Sequence, residues 1–202
     1  MAIEAVVFDL GGVLIDVQYA RAIERLRARC SADADILQQT LGSASMLQRF
    51  ECGKLTPREF HAAFCDVGCL DIGFEEFCAV YCDVFEPVPQ MIEAHRNVRA
   101  CGAATYLFSN TSALHFTHIR RHYPFVAQFD GCFLSYELGA MKPDERAYAA
   151  VENALGRPVG TLLYIDDRLE NVEAGVRRGW HALHHTDAPA TIARLRGFGL
   201  NN

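Results

Sequence analysis

The run Val6-Val7-Phe8-Asp9-Leu10-Gly11-Gly12-Val13-Leu14 places a carboxylate where a β-branched, apolar strand signal gives way to a glycine turn. A carboxylate at the carboxyl end of a buried parallel strand lies on the edge where open α/β sheets bind their ligands. Asp9 is therefore a candidate nucleophile. The pattern recurs downstream. Thr105-Tyr106-Leu107-Phe108-Ser109-Asn110 ends in polar groups, Leu162-Leu163-Tyr164-Ile165-Asp166-Asp167 ends in an acidic pair, and Lys142 sits in a turn between them. Strands are expected at 4–9, 104–109, 131–135, 161–165 and 180–184, with helices at 112–123, 143–155, 169–178 and 189–196. Such alternation is the signature of βαβ units, so the expected fold class is α/β, a Rossmann-like doubly wound parallel sheet.

Residues 16–86 break this rhythm and read as successive amphipathic helices with no convincing strand. Thr56-Pro57-Arg58-Glu59 carries an N-cap, a proline in the first turn and a capping-box glutamate. Phe50, Phe60, Phe64, Phe74, Phe77, Tyr81 and Phe85 fall at roughly helical spacing, as the core of a small bundle would. The expected organisation is a core domain of 1–15 and 87–202 with an inserted all-helical cap of 16–86.

A chain of 202 residues, 50% hydrophobic and 22% charged, is long enough to bury a sizeable core. Its net charge of −6, without any basic run, lacks the footprint of a nucleic-acid binder, and no nucleic-acid or protein partner is expected. No apolar stretch approaches the roughly 18 residues that span a bilayer. The first residues enter a strand without a basic leader, so no membrane contact and a cytoplasmic location are expected. Among the eight cysteines, Cys65/Cys69 and Cys78/Cys82 share helix faces pairwise. Four thiols can bind zinc, but this spacing fits structural zinc sites poorly, and buried reduced thiols are the expected state.

Asp9, Ser109, Lys142 and the Asp166-Asp167 pair, in that order, resemble the four motifs of the haloacid dehalogenase superfamily of aspartate-nucleophile hydrolases. The match covers nearly the whole chain, core and cap alike. The resemblance implies a phosphatase in which Asp9 attacks phosphorus in line and Mg²⁺ neutralises charge on the phosphate oxygens. The implied metal ligands are Asp9, the Gly11 backbone carbonyl and Asp167, with Asp166 binding through water or holding Lys142. Ser109, the Asn110 backbone amide and Lys142 would grip the remaining oxygens, beside the Gly11-Gly12 turn and His115. The implied substrate is a small phosphate monoester. Singly, each group has a plainer explanation: an Asp-Asp turn, a solvated lysine before proline, a serine capping the next helix. Jointly, that explanation needs four coincidences.

Within the superfamily the chain is similar to subfamily IA, to the bacterial α-D-glucose-1-phosphate phosphatase branch and the N-terminal phosphatase domain of soluble epoxide hydrolase. The residues concerned are Phe8 to Gly11, Ser109-Asn110-Thr111 with Leu114-His115, and Phe50-Glu51-Cys52-Gly53-Lys54-Leu55-Thr56. One position departs. Phosphatases of this kind carry a second aspartate two residues after the nucleophile as general acid and base, where this chain has Gly11. Losing positioned proton transfer forfeits about 10²- to 10⁴-fold in rate, or roughly 3 to 5 kcal/mol of barrier.

Three readings follow. The first is a phosphatase without that aspartate, biased toward good leaving groups such as anomeric sugar phosphates. Asp16 is then a possible partial replacement, though a helix N-cap is its more ordinary role. The second is a metal-independent 2-haloacid dehalogenase, against which the Asp166-Asp167 pair argues. The third is a non-catalytic phosphate-binding module, against which the intact nucleophile and lysine argue. His115, His118 and His122 share a helix face without an adjacent acidic or cysteine partner, so a second metal site there is not expected. Glu51 and Arg49 are candidates for specificity.

Overall fold

The structure, a computed structural model, describes residues 2–27, 29 and 44–200. Five parallel strands, β1 (Ala5–Phe8), β4 (Ala104–Ser109), β5 (Gly131–Leu134), β6 (Leu162–Asp166) and β7 (His181–His184), form one sheet in the order β5-β4-β1-β6-β7. β1 and β6 are buried along their whole length. A parallel sheet covered on both faces requires such unbroken apolar runs.

Alternate residues of β1 serve opposite faces. Val6 and Phe8 pack with α5 (Pro89–Ala100), α6 (Ala113–His122) and α10 (Ala188–Gly197). Ala5 and Val7 pack with α8 (Glu145–Leu155) and α9 (Leu169–Arg177), around Tyr148, Tyr164 and Trp180. The chain builds outward from β1 through β4 to β5, then crosses to β6 and β7. This crossing makes β1 the topological switch point, where a crevice opens at the carboxyl ends of the strands. The expected α/β doubly wound sheet is the fold observed, and every expected core strand and helix is present within two residues of its bounds.

A second apolar cluster lies among α1 (Tyr19–Arg27), α2 (Ala44–Glu51), α3 (Pro57–Gly68) and α4 (Phe74–Tyr81). Phe50, Phe60, Phe64, Phe77 and Tyr81 are buried in it, with Phe50 stacked on Phe60 at 4.1 Å. At the start of α3, Thr56 Oγ1 accepts from the Glu59 amide (3.3 Å) and the Glu59 carboxylate accepts from the Thr56 amide (2.8 Å), the reciprocal capping box that the sequence announces.

Two expectations are corrected here. The segment 16–86 is not purely helical at its margins. β2 (Ile15–Val17) pairs antiparallel with β3 (Phe85–Pro87), forming a ribbon across both ends of the inserted helices. Asp16 lies in β2 opposite Glu86, exposed, and not at a helix N-terminus. No helix among the described residues is long and apolar enough to cross a membrane.

Candidate active site

The carboxyl ends of β1, β4 and β6 converge around Lys142. The Asp9 amide donates to the Ile165 carbonyl at 2.8 Å, which seats the residue after β1 against β6. Asp9 Oδ1 accepts from the Leu10 amide at 2.6 Å and stands 3.0 Å from Lys142 Nζ. Lys142 is buried, and its ammonium donates to the Phe108 carbonyl (2.8 Å) and to Asp166 Oδ2 (2.6 Å). Its position is fixed by Asn110. The Asn110 Oδ1 accepts from the Lys142 amide at 2.8 Å, and Nδ2 donates to the Lys142 carbonyl at 2.9 Å.

The two aspartates after β6 differ in their surroundings. Asp166 is fully buried, and its carboxylate accepts from Lys142, Tyr164 Oη, the Arg168 amide and Asn171 Nδ2. Burial alone would raise its carboxyl, but Lys142 and these hydrogen bonds hold it below the ordinary range. Asp167 is only half-buried and lines the cleft with Asp9, Gly11 and Gly12. Its carboxyl is raised by burial and then by Asp166. Gly12 takes φ +74°, the left-handed conformation that favours glycine, and a Cβ on it would displace the Asp167 carboxylate, whose Oδ2 would lie 2.4 Å away.

Oxygens of Asp9, Asp166 and Asp167 lie within 4.8 Å of one another. Against three carboxylates the cluster sets one ammonium, Lys142, leaving two formal negative charges uncompensated. Burial accordingly pushes the Asp9 carboxyl up to about 8, with Lys142 pulling it down and Asp166 pushing it up again. In addition, the Asn171 Oδ1 is buried without a hydrogen-bond partner beside the same cleft. A hydrated divalent cation suits each observation: it prefers oxygen ligands, keeps waters that can donate to such a carbonyl, and carries the missing charge.

Above the cluster sits the end of α2. Helix α2 closes with the Gly53 amide donating to the Phe50 carbonyl (3.0 Å) and the Lys54 amide to the Arg49 carbonyl (2.8 Å), a Schellman arrangement with Gly53 at φ +68°. A Cβ at Gly53 would lie 2.2 Å from the carbonyl oxygen of Tyr136, in the short helix α7 (Ser135–Leu138). This turn seats the helical unit directly on the sheet unit and brings Glu51 over the cleft. Cavities of about 600, 440 and 40 Å³ meet there. The largest carries Arg49, Lys54, Arg146 and Arg168 on its walls.

Of the residues singled out from sequence, the structure brings together Asp9, Gly11, Gly12, Asn110, Lys142 and Asp167 around one cavity, with Asp166 beneath it. Ser109, Asn110 and His115 line the small inner cavity with Gly11. His115 is also engaged elsewhere. Its Nε2 lies 3.2 Å from the Tyr81 carbonyl, its ring stacks on Tyr81, and burial lowers it to about 4. His118 and His122 stack on each other, and the acidic cluster is the only group of three potential ligands among the described residues, so neither the histidines nor the cysteines assemble a metal site there. Sequence reasoning missed Tyr164, Asn171 and Arg168. The visible trace of Asn171 is its place one turn into the helix after the acidic pair.

A family model described as haloacid dehalogenase-like hydrolase matches residues 3–179. A sesquiterpene phosphatase of Aspergillus oryzae is 29% identical over 201 residues, covering 96% of this chain and 95% of its own length. A D-ribitol-5-phosphate phosphatase of Bacteroides thetaiotaomicron is 26% identical, covering 88% and 89%. Among solved structures, a haloacid dehalogenase family enzyme from Bacteroides thetaiotaomicron in complex with magnesium and inorganic phosphate superposes with a TM-score of 0.80 at 21% identity, covering 90% and 93%.

Proposed function

The chain belongs to the haloacid dehalogenase-like hydrolase family, and from that premise we propose that it is a magnesium-dependent phosphatase of small phosphate monoesters, with a sugar phosphate as the first substrate to test. The observation that carries this reading is the trio Asp9, Asp166 and Asp167 around one buried lysine, two charges short of neutrality. A haloacid dehalogenase attacks carbon without a metal and has no use for such a deficit. The phosphatases at 29% and 26% identity support the same choice.

In this reading Asp9 Oδ2, the oxygen that does not face the Leu10 amide and Lys142, attacks phosphorus and forms an aspartyl phosphate. Magnesium, held by Asp9, Asp167 and the Gly11 carbonyl with Asp166 behind, would neutralise the phosphate oxygens as charge shifts. Lys142 holds Asp9 in place and sets its positive charge beside the phosphate, and Asp9 and Asp166 keep it charged against burial. Ser109 and the amide of Asn110 position the remaining oxygens, and Asn110 also fixes the lysine's backbone.

The test is phosphate release from glucose 1-phosphate, glucose 6-phosphate and ribitol 5-phosphate with Mg²⁺, using Asp9→Asn as the blank. Magnesium-dependent release that vanishes in the variant is the expected result. Turnover that survives chelation, or survives Asp9→Asn, would refute the mechanism.

A further inference from the structure

Gly11 leaves the proton-transfer position empty, yet nothing in the local packing demands a glycine there. Its φ lies outside the left-handed region, and a Cβ would meet only Val17 Cγ2, at an ordinary 3.5 Å. The role has an alternative occupant on the opposite wall. Glu51 is the single residue that borders all three cavities meeting at the site, including both that contain Gly11. It is only 8% exposed, and its carboxyl makes no hydrogen bond or ion pair within the described residues. No protein group within the described residues meets the carboxyl of this mostly buried glutamate, so it is free to meet a ligand in the cleft it borders. The other acids nearby are spoken for: Asp144 is paired with Arg146 at 2.6 Å, and Asp16 lines none of the three cavities.

Building on the phosphatase reading, we propose that Glu51 is the general acid and base of this enzyme, delivered from the helical unit in place of the aspartate missing at position 11. As Asp9 attacks and the bond from phosphorus to the ester oxygen breaks, the Glu51 carboxyl gives its proton to that oxygen, which leaves as an alcohol. The resulting carboxylate then takes a proton from water as its oxygen attacks the aspartyl phosphate. The bond from phosphorus to Asp9 breaks, inorganic phosphate departs, and Glu51 is again protonated. Protons balance with no other reactant. Its surroundings suit both halves. Burial raises the Glu51 carboxyl to about 7, with Arg168 pulling it down. Tyr19 of α1, Tyr81 of α4 and Cys52 are the other titratable groups that sense its charge, while Asp9, Lys142 and Asp167 line the same cavity.

The experiment compares an alkyl ester, glucose 6-phosphate, with p-nitrophenyl phosphate, whose departing nitrophenolate needs no proton. Glu51→Gln keeps the shape of the neutral acid. It should cut alkyl turnover by about 10²- to 10⁴-fold. On p-nitrophenyl phosphate it should release a rapid burst of one nitrophenolate per site, followed by slow hydrolysis of the accumulated aspartyl phosphate. Adding Gly11→Asp to Glu51→Gln should restore alkyl turnover, which repair of a merely damaged cleft would not do. An active wild type with unimpaired Glu51→Gln, or an equal loss on both esters without a burst or rescue, overturns the proposal alone. A wild type inactive on both esters with Mg²⁺ overturns the phosphatase reading and this proposal together.

Discussion

Magnesium should stabilise this protein measurably, because the site sets more negative than positive charge together, and mass action sets the size of the effect. Asp9, Asp166 and Asp167 present three carboxyl groups to one buried ammonium, so the fully ionised site that a metal would bind carries two formal negative charges that the unfolded chain disperses in water. A cation that binds only the folded state adds about 2.7 kcal/mol at one hundred times its dissociation constant. For a chain of this length, each kcal/mol moves the midpoint by about 2–4 °C, giving a rise of about 5–11 °C. The assay is thermal unfolding followed by dye fluorescence, with EDTA and with increasing Mg²⁺. Asp167→Asn removes one of the surplus charges and a ligand. Without metal it should melt no lower than wild type, and its magnesium increment should shrink below about 2 °C. Asp166→Asn should behave oppositely, melting lower even in EDTA, because Lys142 loses a buried counter-charge and one of the two oxygens that serve four donors becomes a donor itself. A wild-type protein insensitive to Mg²⁺, or an Asp167→Asn variant with an undiminished increment, would refute the charge argument.

Lys142→Met keeps the side chain's length and strips two buried carboxylates of their counter-ion, so urea unfolding should show a loss of about 3–5 kcal/mol along with all turnover; a loss under about 1 kcal/mol would contradict the buried pair. Gly53→Ala should lift the turn off Tyr136, since its Cβ would sit 2.2 Å from that carbonyl oxygen. The expected cost is on the order of 10²-fold in kcat/KM for a misplaced wall of the site, with the magnesium-dependent melting shift kept because the carboxylates belong to the sheet unit. His115 provides the pH dependence. Burial lowers its folded value to about 4 from 6.5, so the unfolded state binds the proton first and stability present above pH 6.5 is lost as pH falls toward 4. The limit is roughly 3 kcal/mol, and His115→Gln, which can still donate to Tyr81, should flatten that fall in urea titrations at pH 7, 5.5 and 4.5.

The sheet and the polar residues at its strand ends were legible in the sequence for one physical reason. Strands buried on both faces must be continuously apolar, so the polar residue that ends each run marks the strand's carboxyl end, as Asp9, Ser109 and Asp166 do. The capping box at Thr56 was equally plain, because it is a contact over three residues. The ribbon of β2 and β3 was not. Its strands have three residues each, include Asp16, Glu86 and Pro87, and gain their pairing only because the inserted helices bring distant segments together. Tyr164 and Asn171 escaped notice because an apolar run and a surface-like helix turn conceal which single atom reaches Asp166. His115 lines one cavity with Ser109 and Asn110, but its hydrogen bond to Tyr81 depends on how α4 docks, which no local pattern encodes.

Glu51 illustrates why function in this fold divides between what a strand end can announce and what a docking surface decides. Its sequence context, the last residue of an amphipathic helix before Cys52-Gly53, is that of an ordinary solvated glutamate. Gly53 changes its fate. The turn's backbone approaches Tyr136 as only glycine permits, so the helix end rests on the sheet unit, and Glu51, two residues earlier, lines the cavities beneath it. Burial, not any neighbouring acid, is the first cause of its raised carboxyl, so the property that suits it to proton transfer exists only while that contact is made. An aspartate at position 11 would carry its proton on the rigid sheet unit whether or not the helices were seated. Placing the acid on the helices ties proton delivery to the seating of α2 on α7, at a residue two positions from the glycine at which that contact is made.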